Sequence, residues 1–226
     1  MLPDLTGTTI VFDLDGTLVD TAPDLTSATN HALAMAGAAP VSVEELHPFI
    51  GRGSKAMIEA GLGFRGVSVS EDDSARLHKA FLEFYADNVA VDSRPFEGVG
   101  ELLDQLVGAG ARLAVCTNKY EALSRLLLVE LELAGKFAAI AGRDTFSVCK
   151  PDPAHLTGTI ALAGGRADRA VMVGDSEIDI ATAVAAAIPS IGVTFGYTSR
   201  PVREFGPNAV IDHYREFPAA LVRVLG

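Results

Sequence analysis

The chain runs from an apolar stretch at residues 10–12 directly into two carboxylates, Asp13 and Asp15, which are separated by one residue. Two negative charges this close repel each other and favour a nearby cation. One carboxylate of such a pair can attack an electrophile as a nucleophile, while the other serves as general acid and base. Gly16 follows at once and permits the tight turn that this arrangement needs. The structural alternative is a pair that only ends a strand or caps a helix.

Three later stretches bring further polar residues to the ends of apolar runs or to the start of a helix. They contain Thr117 with Asn118, Lys150 before a Pro-Asp-Pro sequence, and Asp175 with Asp179. Ligands bind at the carboxyl ends of the strands in open α/β sheets, so we expect these side chains to converge. Carboxylates suit Mg²⁺, and lysine, hydroxyl and amide groups suit phosphate oxygens. The set therefore predicts phosphoryl transfer.

The elements that must position these residues fall into two groups. Residues 94–226 alternate short apolar strands with helices, and the strand at residues 8–12 has the same character. Apolar strands without polar alternation, separated by helices, predict a parallel sheet covered on both faces. Residues 21–91 show helical periodicity instead. We predict an α/β protein with a Rossmann-like parallel sheet core, residues 1–18 and 92–226, and an inserted all-helical cap domain at residues 19–91.

Local signals place helices within the predicted cap. Thr21 is the expected N-cap of the first helix, and Ser42 with Glu45 has capping-box spacing for the second. A long helix follows at residues 70–89, and its apolar stripe is predicted to contain Ala75, His78, Phe81, Leu82 and Tyr85.

The amino-acid composition limits the kinds of molecule that the protein is expected to bind. The chain has 226 residues, of which 49% are hydrophobic, and a net charge of −11, which argues against binding to nucleic acid or an anionic membrane. Its two cysteines, Cys116 and Cys149, make no disulfide framework or zinc motif and are interpreted as small buried residues. The start of the chain lacks the charge pattern of a signal peptide. We expect a cytoplasmic protein, monomeric or homodimeric.

The stretches "DLDGT", "TN", "K" before "PDP", and "GDSEID" resemble, in this order, the four motifs of the haloacid dehalogenase-type phosphohydrolase superfamily. The helical insert after the first motif resembles that superfamily's helical cap. The resemblance implies that Asp13 is the nucleophile that forms an aspartyl-phosphate and that Asp15 is the general acid and base. It further implies that the phosphate is bound by Thr117, with Asn118 beside it, and by Lys150. The Mg²⁺ ligands it implies are Asp13, the backbone carbonyl of Asp15, Asp175 and, as support, Asp179.

Within that superfamily, "TNK", "GVTFGY" and "GRGSKAMI" resemble the phosphoglycolate phosphatase branch. This resemblance implies a small phosphorylated metabolite as substrate, with 2-phosphoglycolate the best candidate. It places Arg52, Gly53 and Lys55 in the cap loop that closes over the substrate, where a basic side chain would meet a second anionic group. The alternative for Arg52 and Lys55 is a solvated helix start. Glu97 and Ile188 depart from residues common in related chains, and both lie outside the four motifs.

One other function remains open from the sequence, and the residues argue against three more. A phosphosugar mutase of the β-phosphoglucomutase type would use the same core and cap. A dehalogenase would lack Asp15, because it needs no acid for a leaving alkoxide. A phosphorylated receiver domain would carry its acidic pair before the phosphorylated aspartate and would have no helical insert. A degenerate binding module would retain the fold without turnover.

Overall fold

The structure is a computed structural model that describes residues 2–226, and a six-stranded parallel sheet lies at its centre. The strands are β1 (Thr9–Phe12), β2 (Val19–Asp20), β3 (Arg94–Pro95), β4 (Arg112–Cys116), β5 (Ala139–Ala141), β6 (Ala170–Gly174), β7 (Ser190–Val193) and β8 (Ala209–Ile211). The six-stranded sheet has the order β5-β4-β1-β6-β7-β8, while β2 and β3 pair with each other. The predicted fold class is confirmed, and β1 lies in the middle of the sheet.

The described residues form the helices α1 (Ala22–Met35), α2 (Val43–Ile50), α3 (Ser54–Phe64), α4 (Glu71–Asp87), α5 (Val99–Gly108), α6 (Glu121–Glu130), α7 (Pro153–Leu162), α8 (Glu177–Ala185) and α9 (Phe217–Leu225). The helices from α5 to α9 cover both faces of the six-stranded sheet. Successive strand residues point to opposite faces. Accordingly, Ile10 and Phe12 belong to one apolar cluster and Val11 to a second one. This two-sided burial explains why the strands read as continuous apolar runs. Within residues 2–226, no helix has the length and apolar character needed to cross a membrane.

Helices α1 to α4 form the all-helical insert between β2 and β3. The capping box of Ser42 and Glu45 is present at the start of α2. The apolar stripe of α4 differs from the prediction, because Leu77 is buried beside Phe81 and Tyr85 while Ala75 is exposed. At about 100° per residue, Leu77 lies about 40° around the helix from Phe81, whereas Ala75 lies about 120° away.

Two chain crossings connect the insert to the core at one place. Strands β2 and β3 pair antiparallel there, with Val19 opposite Pro95. Asp24 at the start of α1 accepts hydrogen bonds from the backbone N–H of Asp92 and from the backbone N–H and hydroxyl of Ser93. The two crossings are therefore bound to each other. The exact domain limits of residues 19–91 stay a prediction.

Candidate active site

The carboxyl ends of three neighbouring strands bring the predicted residues together. Asp13 follows β1, Thr117 follows β4 and Asp175 follows β6, and all three side chains are buried. The fourth contribution, Lys150, comes from the segment before α7 and is also buried. Because β4, β1 and β6 are adjacent and parallel, their ends meet at one edge of the sheet. The structure thus assembles the four motifs in one place.

A cluster of three buried carboxylates lies at this edge. Asp13, Asp175 and Asp179 each offer an oxygen within 4.8 Å of the others. Burial raises the pKa of Asp13 to about 7, although the charge of Lys150 opposes the rise. Burial, followed by the charges of Asp179 and Asp13, raises the pKa of Asp175 well above its ordinary value. One lysine does not balance three carboxylates, so this set of hard oxygen donors fits a divalent cation.

Lys150 is the cation that the chain itself supplies to the cluster. Its Nζ lies 2.8 Å from Oδ1 of Asp13 and 2.6 Å from Oδ1 of Asp179. Burial opposes the charge, but the two carboxylates raise the pKa of Lys150 above its ordinary value, so it remains an ammonium. Its backbone is held from both directions, because its N–H donates to Nδ1 of His155 and its carbonyl accepts from the amide of Asn118. Asn118 therefore orients the lysine segment.

Asp15 lies outside the three-carboxylate cluster that residues 2–226 form. Its Oδ1 accepts a hydrogen bond from the hydroxyl of Thr21 at 2.7 Å and one from Nζ of Lys119 at 3.0 Å. Thr21 is the N-cap of α1, as predicted, but its hydroxyl binds Asp15 and makes no capping hydrogen bond to the helix. Asp13 and Asp15 thus have separate hydrogen-bond partners, as their two predicted roles require. Metal ligation by the carbonyl of Asp15 stays a prediction.

Two glycines let the backbone pass close to Asp175, a candidate metal ligand. Gly16 has φ +82°, and a Cβ there would come within 2.7 Å of Oδ2 of Asp175. A Cβ on Gly196 would come within 2.2 Å of Cβ of Asp175. Tyr197, next to that glycine, donates its backbone N–H to Oδ2 of Asp175 at 2.7 Å. The loop after β7 therefore fixes this carboxylate.

Asp179 has a structural role beside its place in the carboxylate cluster, and Cys116 is a buried thiol. Oδ2 of Asp179 accepts from the backbone N–H and the hydroxyl of Ser176 at the start of α8, so this aspartate belongs to a capping box as well as to the cluster. Burial raises the pKa of the Cys116 thiol to about 12. The thiol is therefore uncharged and unreactive as a nucleophile.

A cleft of about 580 Å³ separates the catalytic edge from the insert. Asp13, Asp15, Thr117, Asn118 and Lys150 line it from the core, and Gly53 lines it from the insert. Arg52 and Lys55 are exposed, and neither is among the described residues that line the cleft. The Arg52 guanidinium lies 6.0 Å from the centre of the Phe49 ring. A substrate contact by Arg52 or Lys55 therefore stays a prediction that would require the loop to move.

The sequence predicts no role in the site for Lys119, Tyr85 or Arg143, although all three line the cleft. Lys119 and Tyr85 line the cleft beside Asp15, and Arg143 lines it opposite Gly53. Polar residues that follow a strand mark the site in this fold. Arg143 follows β5 by two positions, so the same rule could have identified it. The sequence predicts Tyr85 on the buried stripe of its helix, and this prediction is correct. The stripe alone does not show that the tyrosine hydroxyl lies at the cleft.

Comparison with known proteins agrees with this geometry. A phosphoglycolate phosphatase from Mesorhizobium japonicum is 51% identical over 221 residues, which is 96% of this chain and 97% of that protein. One from Caulobacter vibrioides is 42% identical over 224 residues, covering 99% and 94% of the two chains. The crystal structure of a predicted phosphoglycolate phosphatase from Haemophilus somnus has a TM-score of 0.89 and 27% identity, and 96% of this chain and 98% of that chain are covered.

The family described as "Haloacid dehalogenase-like hydrolase" matches residues 10–193. This span contains all four motifs and the helical insert between the first two. Every motif residue gathered at the sheet edge, from Asp13 to Asp179, lies within it. The match therefore covers the catalytic machinery together with the fold, and the chain belongs to the haloacid dehalogenase-like hydrolases.

Proposed function

We propose that the protein is a magnesium-dependent phosphatase that hydrolyses 2-phosphoglycolate through an aspartyl-phosphate on Asp13. The observation that supports the proposal most directly is that two aspartates, one residue apart, lie in different surroundings. Asp13 lies against Lys150 and the other carboxylates, whereas Asp15 faces the cleft beside Thr21 and Lys119. The names of the two bacterial relatives support the choice of substrate.

Binding comes first in this mechanism. Lys150 and the hydroxyl of Thr117 receive the phosphate oxygens at the strand ends, where both groups are buried. The Mg²⁺ ion would be held by Asp13, Asp175 and the carbonyl of Asp15, with Asp179 behind them, and would neutralise phosphate charge and orient the phosphoryl group for attack. The insert closes over the cleft and excludes water from the reacting atoms.

The chemistry then proceeds in two steps. A carboxylate oxygen of Asp13 attacks phosphorus, the ester P–O bond breaks, and Asp15 donates its proton to the leaving alkoxide. A water molecule then replaces the product alcohol. Asp15 takes a proton from that water as the water oxygen attacks phosphorus, the bond to Asp13 breaks, and inorganic phosphate leaves. Asp15 is then protonated again for the next cycle.

The environment of the enzyme forms part of the same proposal. Both cysteines in the described chain are free thiols, which suits a reducing cytoplasm. The net charge of −11 supports a small-molecule substrate over nucleic acid or an anionic membrane. A monomer or a homodimer would suffice, because the site is assembled from residues of one chain.

The test is phosphate release from a panel of monoesters, with and without Mg²⁺. The panel contains 2-phosphoglycolate, β-glucose 1-phosphate and a nucleoside monophosphate, and Asp13→Asn is the control without a nucleophile. We expect magnesium-dependent release with the highest kcat/KM for 2-phosphoglycolate. Conversion of β-glucose 1-phosphate to the 6-phosphate would instead establish the mutase alternative, and the absence of magnesium-dependent release would refute the proposed activity.

A further inference from the structure

Lys119 places a buried ammonium in the cleft beside Asp15. Its Nζ lies 3.0 Å from Oδ1 and 3.3 Å from Oδ2 of that carboxylate, and only 6% of its side chain is exposed. Burial opposes the charge, but Asp15 raises the pKa of Lys119 above its ordinary value, so the side chain stays protonated. An ammonium has three N–H donors, and the two-step chemistry described above gives this one no task.

Tyr85 brings a second donor from α4 to the same point. The Nζ of Lys119 lies 4.4 Å from the centre of the Tyr85 ring. Tyr85 is 1% exposed, and its hydroxyl has no hydrogen-bond partner within residues 2–226. Burial raises the pKa of this hydroxyl to about 12, so it keeps its proton. A buried hydroxyl without a partner is unfavourable, so the Tyr85 hydroxyl is a donor prepared for an acceptor that enters the cleft.

The proposed substrate is short enough for its carboxylate to lie next to these two donors while its ester oxygen lies at Asp15. The leaving oxygen must lie within hydrogen-bond reach of Asp15, roughly 2.6–3.2 Å. In a 2-phosphocarboxylate, the carboxylate carbon lies two bonds beyond that oxygen, or roughly 2.5 Å away. Because Lys119 Nζ is itself 3.0 Å from Asp15, a carboxylate at this distance comes within ion-pair reach of Lys119. A phosphosugar has no anionic group so near its ester oxygen.

We propose that Lys119 and the hydroxyl of Tyr85 form the subsite that binds the substrate carboxylate and selects 2-phosphocarboxylates over other phosphate esters. The inference rests on the proposed function and deepens it. The core supplies the cation and the insert supplies the hydroxyl, so the subsite is complete only when both sides of the cleft are in place. Arg52, expected from the sequence to meet this carboxylate, would then have no part in selecting it.

Arg143 is the alternative cation in the cleft for binding the substrate carboxylate. Its guanidinium lies 5.4 Å from the centre of the Tyr120 ring, and its Nη1 lies 3.5 Å from the position that a Cβ on Gly53 would occupy. It therefore sits where the insert meets the core, whereas Lys119 contacts the catalytic acid directly. This position suits a longer substrate better than a two-carbon one.

The test compares 2-phosphoglycolate with ethyl phosphate, an ester of similar size without the carboxylate. For the wild type and for Lys119→Met, Lys119→Arg, Tyr85→Phe and Arg143→Gln, kcat/KM is measured for both esters. The preference for 2-phosphoglycolate should fall about 10- to 100-fold in Lys119→Met, as expected for the loss of an ionic hydrogen bond. It should fall by a smaller factor in Tyr85→Phe, and Lys119→Arg should retain most of it.

The ratio of the two kcat/KM values separates recognition from catalysis. Lys119 also contacts Asp15, so a loss that both esters share reports the positioning of the acid, whereas a change in the ratio reports the carboxylate. A wild type without a preference for 2-phosphoglycolate would overturn the proposed substrate and this inference together. A wild-type preference that survives in Lys119→Met, or that disappears only in Arg143→Gln, would overturn this inference alone.

If the variants turn over too slowly for kcat/KM to be measured, substrate binding can be measured instead. In the Asp13→Asn background, the Kd of 2-phosphoglycolate should rise about 10-fold or more on adding Lys119→Met. The Kd of inorganic phosphate should change much less, because Lys119 does not contact the phosphate in this assignment. Equal weakening of both ligands would contradict the assignment, and thermal unfolding of each variant verifies that it is folded.

Discussion

The hydroxyl of Tyr197 accepts a hydrogen bond from the backbone N–H of Thr21 at 2.7 Å and thereby binds the loop after β7 to the first crossing into the insert. It also accepts from the N–H of Ala22 at 3.0 Å. The backbone N–H of the same tyrosine donates to Asp175. One residue therefore connects a candidate metal ligand to the segment that leads from the core into the insert.

Replacing Tyr197 by Phe should destabilise the protein, because the buried N–H of Thr21 loses its acceptor and the N–H of Ala22 keeps only its longer hydrogen bond to Asp20 at 3.3 Å. The expected loss in the free energy of unfolding is about 1–3 kcal/mol. It would be measured by denaturant unfolding of both proteins in the absence of metal. The matched control is Tyr214→Phe, which also removes one buried tyrosine hydroxyl. That hydroxyl donates to the carbonyl of Thr17 and does not contact the first crossing at Thr21 and Ala22. An unchanged unfolding free energy in Tyr197→Phe would show that the crossing does not depend on this hydroxyl.

Adding Mg²⁺ should raise the melting temperature, because the ion relieves repulsion among Asp13, Asp175 and Asp179. At 100 times the Kd, binding to the folded state contributes about 2.7 kcal/mol, or roughly 5–10 °C for a chain of this length. Asp175→Asn should melt higher than the wild type without metal and lose most of the response. Asp168→Asn, which changes an exposed ion pair with Arg166, should keep the wild-type response. An equal response in both variants would place the ion elsewhere.

Replacing Asp15 by Asn should affect phosphate esters according to their leaving groups. An alkoxide needs a proton, so the loss for 2-phosphoglycolate should be about 10²- to 10⁴-fold. A nitrophenolate leaves without one, so p-nitrophenyl phosphate should still phosphorylate Asp13 but then release phosphate slowly, because the base for water is gone. Rapid-quench experiments should therefore show a burst of nitrophenol followed by slow turnover. The same rate loss for both esters, without a burst, would contradict the role of Asp15 as the acid.

Acid should destabilise the fold partly through His155. Burial, aided by the charge of Lys150, lowers the pKa of His155 from 6.5 to about 4. Between those pH values the unfolded chain binds a proton that the folded chain does not, so the contribution of this group to stability falls as the pH decreases from 6.5 toward 4. His155→Asn carries no charge at any pH. Its unfolding free energy should fall less than that of the wild type between pH 7 and pH 4.5, and parallel curves would exclude this histidine as the cause.

Sequence was sufficient for the residues whose position follows from a local rule. Asp13, Thr117 and Asp175 each follow an apolar strand directly, and the parallel arrangement of those strands determines where they meet. The capping box at Ser42 depends only on residues three apart, and it is present as predicted. Such features depend on spacing along the chain, which a sequence displays.

The remaining parts of the site depend on contacts between distant residues. Lys119 reaches Asp15 across 104 positions of sequence, and its place in the "TNK" stretch does not show that its side chain contacts this carboxylate. Tyr197 acts on Thr21 across 176 positions. The strands β2 and β3 contain two residues each, which is too short for a periodic signal. These interactions exist only after the core and the insert have packed together.

The pairing of β2 with β3, and the contact of Asp24 with Ser93, bring the two ends of the insert together at a single seam. Paired strands lie about 4.8 Å apart, so any helical unit whose termini meet this spacing could occupy the same place without changing the sheet. The proposed nucleophile, acid and metal ligands all lie outside the segment between the two crossings, whereas the proposed carboxylate subsite takes Lys119 from the core and Tyr85 from the insert. Over generations, mutations in the insert can therefore change the part of substrate selection that Tyr85 contributes, while the residues proposed for the chemistry are inherited unchanged.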